Sequence, residues 1–244
     1  MMNKPLVTSK SEWLFPTAIW CDTSGSVPAE RHGLEGEQFS NVYASLDEGK
    51  NITLRGHADI PNRSFDENMI VEKKDGTLWM LTRTFDGIGE SFSFDGGHSW
   101  TPGRKSHIDG PCSRFHIRRL KSGRLLMINH YQFDQRIDLD DIMSQGNVKS
   151  WKGRSHLTAL LSEDDGQTWP YSLLLDERNE VSYPDAKEAA DGYIYVTYDR
   201  ERVTQREILM ARFTEEDILN GSLASPEGKF RMLVNKATGQ PDIH

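Results

Sequence analysis

The sequence predicts an all-β chain built from repeated four-stranded units, and three observations predict it. The first is a recurring octapeptide. Ser93 to Trp100 reads SFDGGHSW and Ser162 to Trp169 reads SEDDGQTW, both fitting S-x-D-x-G-x-[ST]-W. A weaker copy, SLDEGKNI from Ser45 to Ile52, keeps Ser, Asp and Gly but loses the hydroxyl and the Trp. The second is a glycine turn that travels with it, at Asp75-Gly76, Ser122-Gly123 and Asp191-Gly192. Each such turn follows the repeat Asp by 28, 27 and 27 residues in succession. The third is a set of short runs of β character between these turns. A period near 48 residues, read from Asp47 to Asp95, with about four short strands per period, matches the blades of a β-propeller. At that period 244 residues supply four to five blades.

The elements follow in chain order. SEWLFPTAIW opens as a strand. TLWMLTRTF and ESFSF lead into the first full octapeptide, and FHIRRL and RLLMINHY flank the Ser122-Gly123 turn. SHLTALLS leads into the second octapeptide, and YIYVTYD and EILMARF close the series. Several alternate polar and apolar residues, as half-buried strands do. The second repeat interval, Asp95 to Asp164, is 69 residues, 21 longer than the first. The surplus falls in a polar, irregular stretch, so residues 131–153 read as an inserted loop within a single domain spanning 1–244. The clear helix signal is Thr214-Glu-Glu-Asp-Ile-Leu: Thr214 caps the free N–H groups, the acids suit the helix N-terminus, and Gly221 ends it. Within the octapeptide, an Asp followed by Gly and a hydroxyl satisfies the N–H groups of a tight turn, while the Trp packs beneath it. Asp95, Asp164, Trp100 and Trp169 therefore report fold and not chemistry.

Composition narrows the partners. The formal net charge is −8, which argues against a nucleic-acid binder. No stretch approaches the roughly 18 apolar residues that span a bilayer, so no membrane partner is expected. The opening MMNKPLVTSKSEW has no apolar signal region, so the chain as written reads as cytoplasmic; if its N-terminus is truncated, secreted or periplasmic placement fits equally. Cys21 and Cys112 make no disulfide framework and read as buried thiols. No Cys/His spacing reads as a zinc site, and the acidic run Asp138, Asp140, Asp141 reads as solvated loop, so no metal is expected. Gly87 and Gly89 in DGIGE lack the third glycine of a nucleotide fingerprint, and no cofactor is expected. The basic run RRLKSGR spans a hairpin turn and reads as a solvated face.

The octapeptides resemble the Asp-box, or bacterial neuraminidase repeat, of sialidases, which implies a six-bladed propeller, here incomplete. A second likeness lies in the order of other residues from about Trp13 onward. Sialidases grip the carboxylate of sialic acid with three Arg and attack with a Tyr paired to a Glu, with an Asp as acid/base. The resemblance places the Glu at Glu67, opening a strand of RSFDENMIVEKKDGTLWMLTRTF, and the second Arg at Arg83 across the following turn. It places the third Arg at Arg154 in GRSHLTALLSEDDGQTW and the nucleophile at Tyr183 in EVSYPDAKE, where Pro184 stands in place of the usual small hydroxyl residue. The residue types suit the task. Guanidinium grips carboxylate bidentately and keeps its charge. A phenol is not repelled by the substrate's carboxylate, but it needs a neighbouring base.

The first Arg and the Asp acid/base have no counterpart, and Arg31 and Arg55 lie in other contexts. The resemblance then implies an N-terminally truncated propeller, short of one carboxylate-binding Arg and the acid/base, whose open blade edge offers a strand for pairing with a second copy. Arg114 and Arg200 are further candidate substrate contacts, and Asp199 with Arg200 is a candidate rim pair. The implied partner is a glycan or small acidic sugar, and the implied reaction is retaining exo-hydrolysis of a terminal carboxylated sugar. Two alternatives stand beside it. One is another carbohydrate-active enzyme on the same scaffold, a glycosidase or lyase on uronic-acid glycans using His116, His130 or His156. The other is a non-catalytic glycan-binding propeller.

Overall fold

The computed structural model describes residues 4–18, 37–132, 153–202 and 204–239. Cys21, Arg31, the acidic run at 138–141 and nearly all of the expected insertion at 131–153 lie outside these residues. Among the described residues the fold is an incomplete β-propeller of four blades, each a four-stranded antiparallel sheet with its strands in sequence order. The chain divides into two compact units, 1–112 and 113–244, with two sheets in each.

In the first unit, one sheet comprises β1 (Leu6–Val7), β2 (Trp13–Thr17), β3 (Ser40–Ser45) and β4 (Thr53–Ala58). The other comprises β5 (Arg63–Glu72), β6 (Leu78–Thr84), β7 (Gly87–Ser93) and β8 (Arg104–Lys105). Its core gathers Leu14, Val42, Ala44, Ile60, Ile70 and Met80, with Trp100 packed against it. The second unit holds β9 (His116–Arg119), β10 (Leu125–His130), β11 (Leu157–Ser162) and β12 (Tyr171–Asp176), then β13 (Val181–Glu188), β14 (Tyr193–Arg200), β15 (Glu207–Thr214) and β16 (Lys229–Lys236). Its core includes Leu126, Ile128, Leu161, Val196, Ala211 and Phe213. β6, β10 and β11 are buried along their whole lengths. Strands covered on both faces lose the polar alternation of half-buried ones, and each of these carries an apolar run, Leu78–Leu81, Leu125–Ile128 and Ala159–Leu161.

The glycine turns close the β5–β6, β9–β10 and β13–β14 hairpins, with Gly76, Gly123 and Gly192 at φ of 85°, 90° and 86°. That left-handed position is the one a side chain resists in a three-residue hairpin loop. The octapeptides close the third hairpin of their sheets, and all three copies share one bonding pattern. The Ser hydroxyl donates to the Asp carboxylate at 2.8 Å in each case, from Ser45, Ser93 and Ser162. The same hydroxyl accepts the Gly N–H of Gly49, Gly97 and Gly166, again at 2.8 Å. In the weaker copy, Asn51 replaces the missing hydroxyl, its amide donating to Asp47 Oδ2 at 2.6 Å. These bonds to the charged form hold Asp164 down to about 2 although its partial burial opposes this, and they also lower Asp47 and Asp95.

The fourth sheet carries the helix α1 (Glu215–Asn220) where the others carry the octapeptide. Thr214 and Asp217 form a capping box, and Gly221 ends the helix at φ 65°. Asp217, 1% exposed, also accepts the N–H groups of Ala224 and Ser225 at 2.8 Å, so one buried carboxylate again organises the connection. The basic hairpin is neutralised locally: Arg119 meets Asp165 at 2.7 Å, and Arg124 meets Glu163 and Glu215 at 2.7 and 2.8 Å.

Candidate active site

Both candidate clusters grow from bulges in the first strand of a sheet. In β5, Arg63 pairs with Thr84 and Asn68 with Thr82, so four residues of β5 face the single residue Arg83. Glu67 therefore sits in mid-strand and not at a strand start, because Arg63 pairs with Thr84 ahead of the bulge. The slack turns Glu67 toward Arg83, and Arg83 Nη1 donates to Glu67 Oε2 at 3.0 Å. Both are buried, at 4% and 1% exposure. Arg83 Nε donates to Cys112 Sγ at 3.3 Å, and that thiol lies 3.3 Å from Ser64 Oγ. Cys112 is buried, as expected. Desolvating two charges is affordable only when each answers the other, and here each does.

The second cluster lies wholly in the second unit. In β13, Ser182 pairs with Asp199 and Asp185 with Thr197, so Tyr183 and Pro184 together face Tyr198. Tyr183 has φ 56°, the left-handed region that side chains avoid at a cost of about 1–3 kcal/mol. Pro184 removes a ladder N–H, which a bulge on an edge strand tolerates. The bulge carbonyl of Pro184 accepts from Arg114 Nη1 at 2.7 Å, and Arg114 is 5% exposed. Arg154, also 5% exposed, precedes β11; its Nη1 donates to Ser182 Oγ at 3.5 Å and its guanidinium carbon lies 5.8 Å from the Tyr183 ring centroid. Arg202 lies closer, with its guanidinium carbon 3.8 Å from that centroid. Both fall within the range of cation–π attraction.

Arg200 is held by acids: its Nη1 donates to Glu207 at 3.0 Å and its Nη2 to Glu201. Asp199 pairs with Arg202 and not with Arg200. His130 is fully buried, with Nδ1 2.9 Å from the Ser155 carbonyl and Nε2 3.2 Å from Ser113 Oγ. A carbonyl only accepts, so Nδ1 carries the proton and Nε2 accepts from Ser113. Burial, then the charge of Arg154, drives His130 down to about 4, which keeps it neutral near pH 7. His116 Nδ1 lies 3.4 Å from Asp185 Oδ1. His156 Nδ1 lies 3.0 Å from Ser155 Oγ.

Each unit thus brings together half of the expected set: Glu67 with Arg83, and Arg154 with Tyr183. Sequence reasoning missed Ser182 and Ser64. Pro184 inside a strand-like run was the available signal for the bulge that Ser182 anchors. Nothing in RSFDENM announces the larger bulge of β5.

The BNR repeat-like domain matches residues 1–196. The chain belongs to that family. No curated protein sequence matches it. Among solved structures, a leech intramolecular trans-sialidase complexed with 2,7-anhydro-Neu5Ac is 16% identical, at TM-score 0.58 over 90% of this chain and 32% of that one. The intramolecular trans-sialidase from Ruminococcus gnavus, in complex with oseltamivir carboxylate, is 17% identical, at TM-score 0.57 over 91% of this chain and 44% of its own. A polysaccharide lyase of the PL25 ulvan lyase family, bound to a GlcA(1-4)Rha3S unit, is 9% identical, at TM-score 0.51 over 82% and 54%. The BNR repeat-like chain therefore spans less than half the length of the two trans-sialidases. At these identities the likeness is one of fold, shared by trans-sialidases and a polysaccharide lyase alike.

Proposed function

We propose that this BNR repeat-like chain forms part of a carbohydrate-processing propeller that recognises a terminal sugar bearing a carboxylate. In this reading the enzyme is a sialidase-like glycoside hydrolase. Tyr183 is the nucleophile, Glu67 its base, and Arg83 and Arg154 the carboxylate ligands. Arg114 serves by bracing the Tyr183 bulge, and Arg200 is a rim residue.

The observation that carries the reading is the Tyr183 bulge. A tyrosine is held in a costly backbone conformation beside a buried arginine, in a family whose fold is shared with trans-sialidases. Backbone strain persists where the surroundings over-determine it, and such positions cluster at working sites. A planar guanidinium next to a phenol supplies what a carboxylated sugar needs: a bidentate grip beside an uncharged nucleophile. The histidine alternative loses His130, whose two nitrogens are both engaged. His116 beside Asp185 keeps that alternative concrete.

Saturation-transfer NMR with N-acetylneuraminic acid and its methyl ester tests the reading. The expected result is transfer to the free acid, loss of most of it in the ester, and loss of both in Arg154→Met. Equal transfer to acid and ester would remove the carboxylate grip. Loss of binding in His116→Ala with retention in Arg154→Met would move the site to the histidine.

A further inference from the structure

The hydroxyl of Ser182 has one proton and two lone pairs, and the structure uses all three. It donates to Asp199 Oδ1 at 2.6 Å. It accepts from Arg154 Nη1 at 3.5 Å and from Arg202 Nη2 at 3.3 Å. Asp199 closes the ring by accepting from Arg202 Nε through its other oxygen. The cycle needs no chance encounter, because Ser182 and Asp199 are direct cross-strand partners at the step where β13 bulges. The next residue along is Tyr183, over whose ring Arg202 lies.

We infer that Ser182, Asp199 and Arg202 are positioning residues that clamp the Tyr183 ring and hold the Arg154 guanidinium beside it. Asp199 answers the charge of Arg202 and fixes the plane of its guanidinium. That plane covers one face of the phenol, so the ring cannot swing out of the left-handed bulge without giving up the stack. Ser182 links this clamp to Arg154, so a single hydroxyl sets the spacing between the phenol and the arginine assigned to the sugar carboxylate. The inference rests on the proposed role of Tyr183 and names what aims it. Lysine in place of Arg202 keeps the charge but loses both the planar stack and the fork that reaches Ser182 and Asp199 together.

The test is protein NMR on the whole chain labelled in its tyrosine rings. The Tyr183 cross-peak is identified by its disappearance in Tyr183→Phe, and the six other tyrosines report on folding. Ser182→Ala, Asp199→Asn and Arg202→Lys are each expected to shift or split the Tyr183 peak while the other six stay in place. Ser182→Thr, which keeps the hydroxyl, restores the wild-type position. An unmoved Tyr183 peak in all three variants, with the other six also unmoved, would overturn the clamp. Titration with N-acetylneuraminic acid separates this from the function: a tenfold or greater loss of affinity in Ser182→Ala, rescued in Ser182→Thr, supports positioning for binding. A moved peak in a chain that never binds the sugar sustains the clamp and defeats the proposed function.

Discussion

The two bulged strands solve one geometric problem in different ways. β5 inserts several extra residues opposite Arg83 and uses the slack to bring a carboxylate to a buried guanidinium. The cost there lies in desolvating two charges. β13 inserts a single extra residue opposite Tyr198 and meets the cost in backbone strain at Tyr183. The first arrangement is a closed ion pair whose members depend on each other for burial. The second is an aromatic ring clamped by a serine, an aspartate and arginines. The difference teaches that Glu67–Arg83 should dominate stability, whereas the Tyr183 cluster should be thermodynamically quiet and matter for binding.

The largest expected effect breaks the first arrangement. Glu67→Ala leaves Arg83 buried without its carboxylate, and the first unit should lose about 3–5 kcal/mol in urea unfolding. The double change Glu67→Leu with Arg83→Met should recover most of that loss. Tyr183→Phe, by contrast, keeps ring and stack and should cost less than about 1 kcal/mol. Comparable losses in Glu67→Ala and Tyr183→Phe would erase the contrast.

A second effect belongs to the wall behind the Tyr183 cluster. His130 has its folded value pushed down to about 4 from 6.5. Between those values the unfolded chain binds a proton that the folded chain refuses, so stability falls as pH falls across this window and levels off below it. The depression corresponds to about 3 kcal/mol at about 1.4 kcal/mol per pH unit. His130→Asn should flatten the dependence between pH 6.5 and 4. The lowered carboxylates Asp164 and Asp217, both at about 2, act in a lower window: their stabilisation is present above 3.8 and is lost as pH falls toward 2. A slope unchanged in His130→Asn would locate the titration elsewhere.

The smallest effect concerns the rim. Arg200 shares its charge with Glu207 and Glu201 at partly exposed positions. Arg200→Gln should cost no more than about 1 kcal/mol and leave sugar binding unchanged. A loss of binding would promote Arg200 from rim to contact.

The repeat architecture was readable in the sequence because it rests on local chemistry. A Ser, an Asp and a Gly at fixed offsets make one turn wherever they occur, and even the degraded copy at Ser45 folds alike once Asn51 lends its amide. The capped helix at Thr214 was legible for the same reason. The bulges were not. Register is a property of two strands, so nothing within RSFDENM states that Arg83 faces four residues. Pro184 hinted at a break in β13, yet the clamp depends on Asp199 and Arg202 arriving from the neighbouring strand and the turn beyond it. Arg200 and Arg202 look equivalent in YDRER, and the fold pairs Asp199 with the second of them.

The most direct measurement is a map of arginine and tyrosine side-chain NMR shifts on adding N-acetylneuraminic acid to the whole chain. The account predicts saturable shifts at Arg83, Arg154, Tyr183 and Arg202, with the Asp-box turns and Arg200 unmoved. Shifts confined to those turns, or none at Arg154 and Tyr183 at saturating sugar, would contradict it.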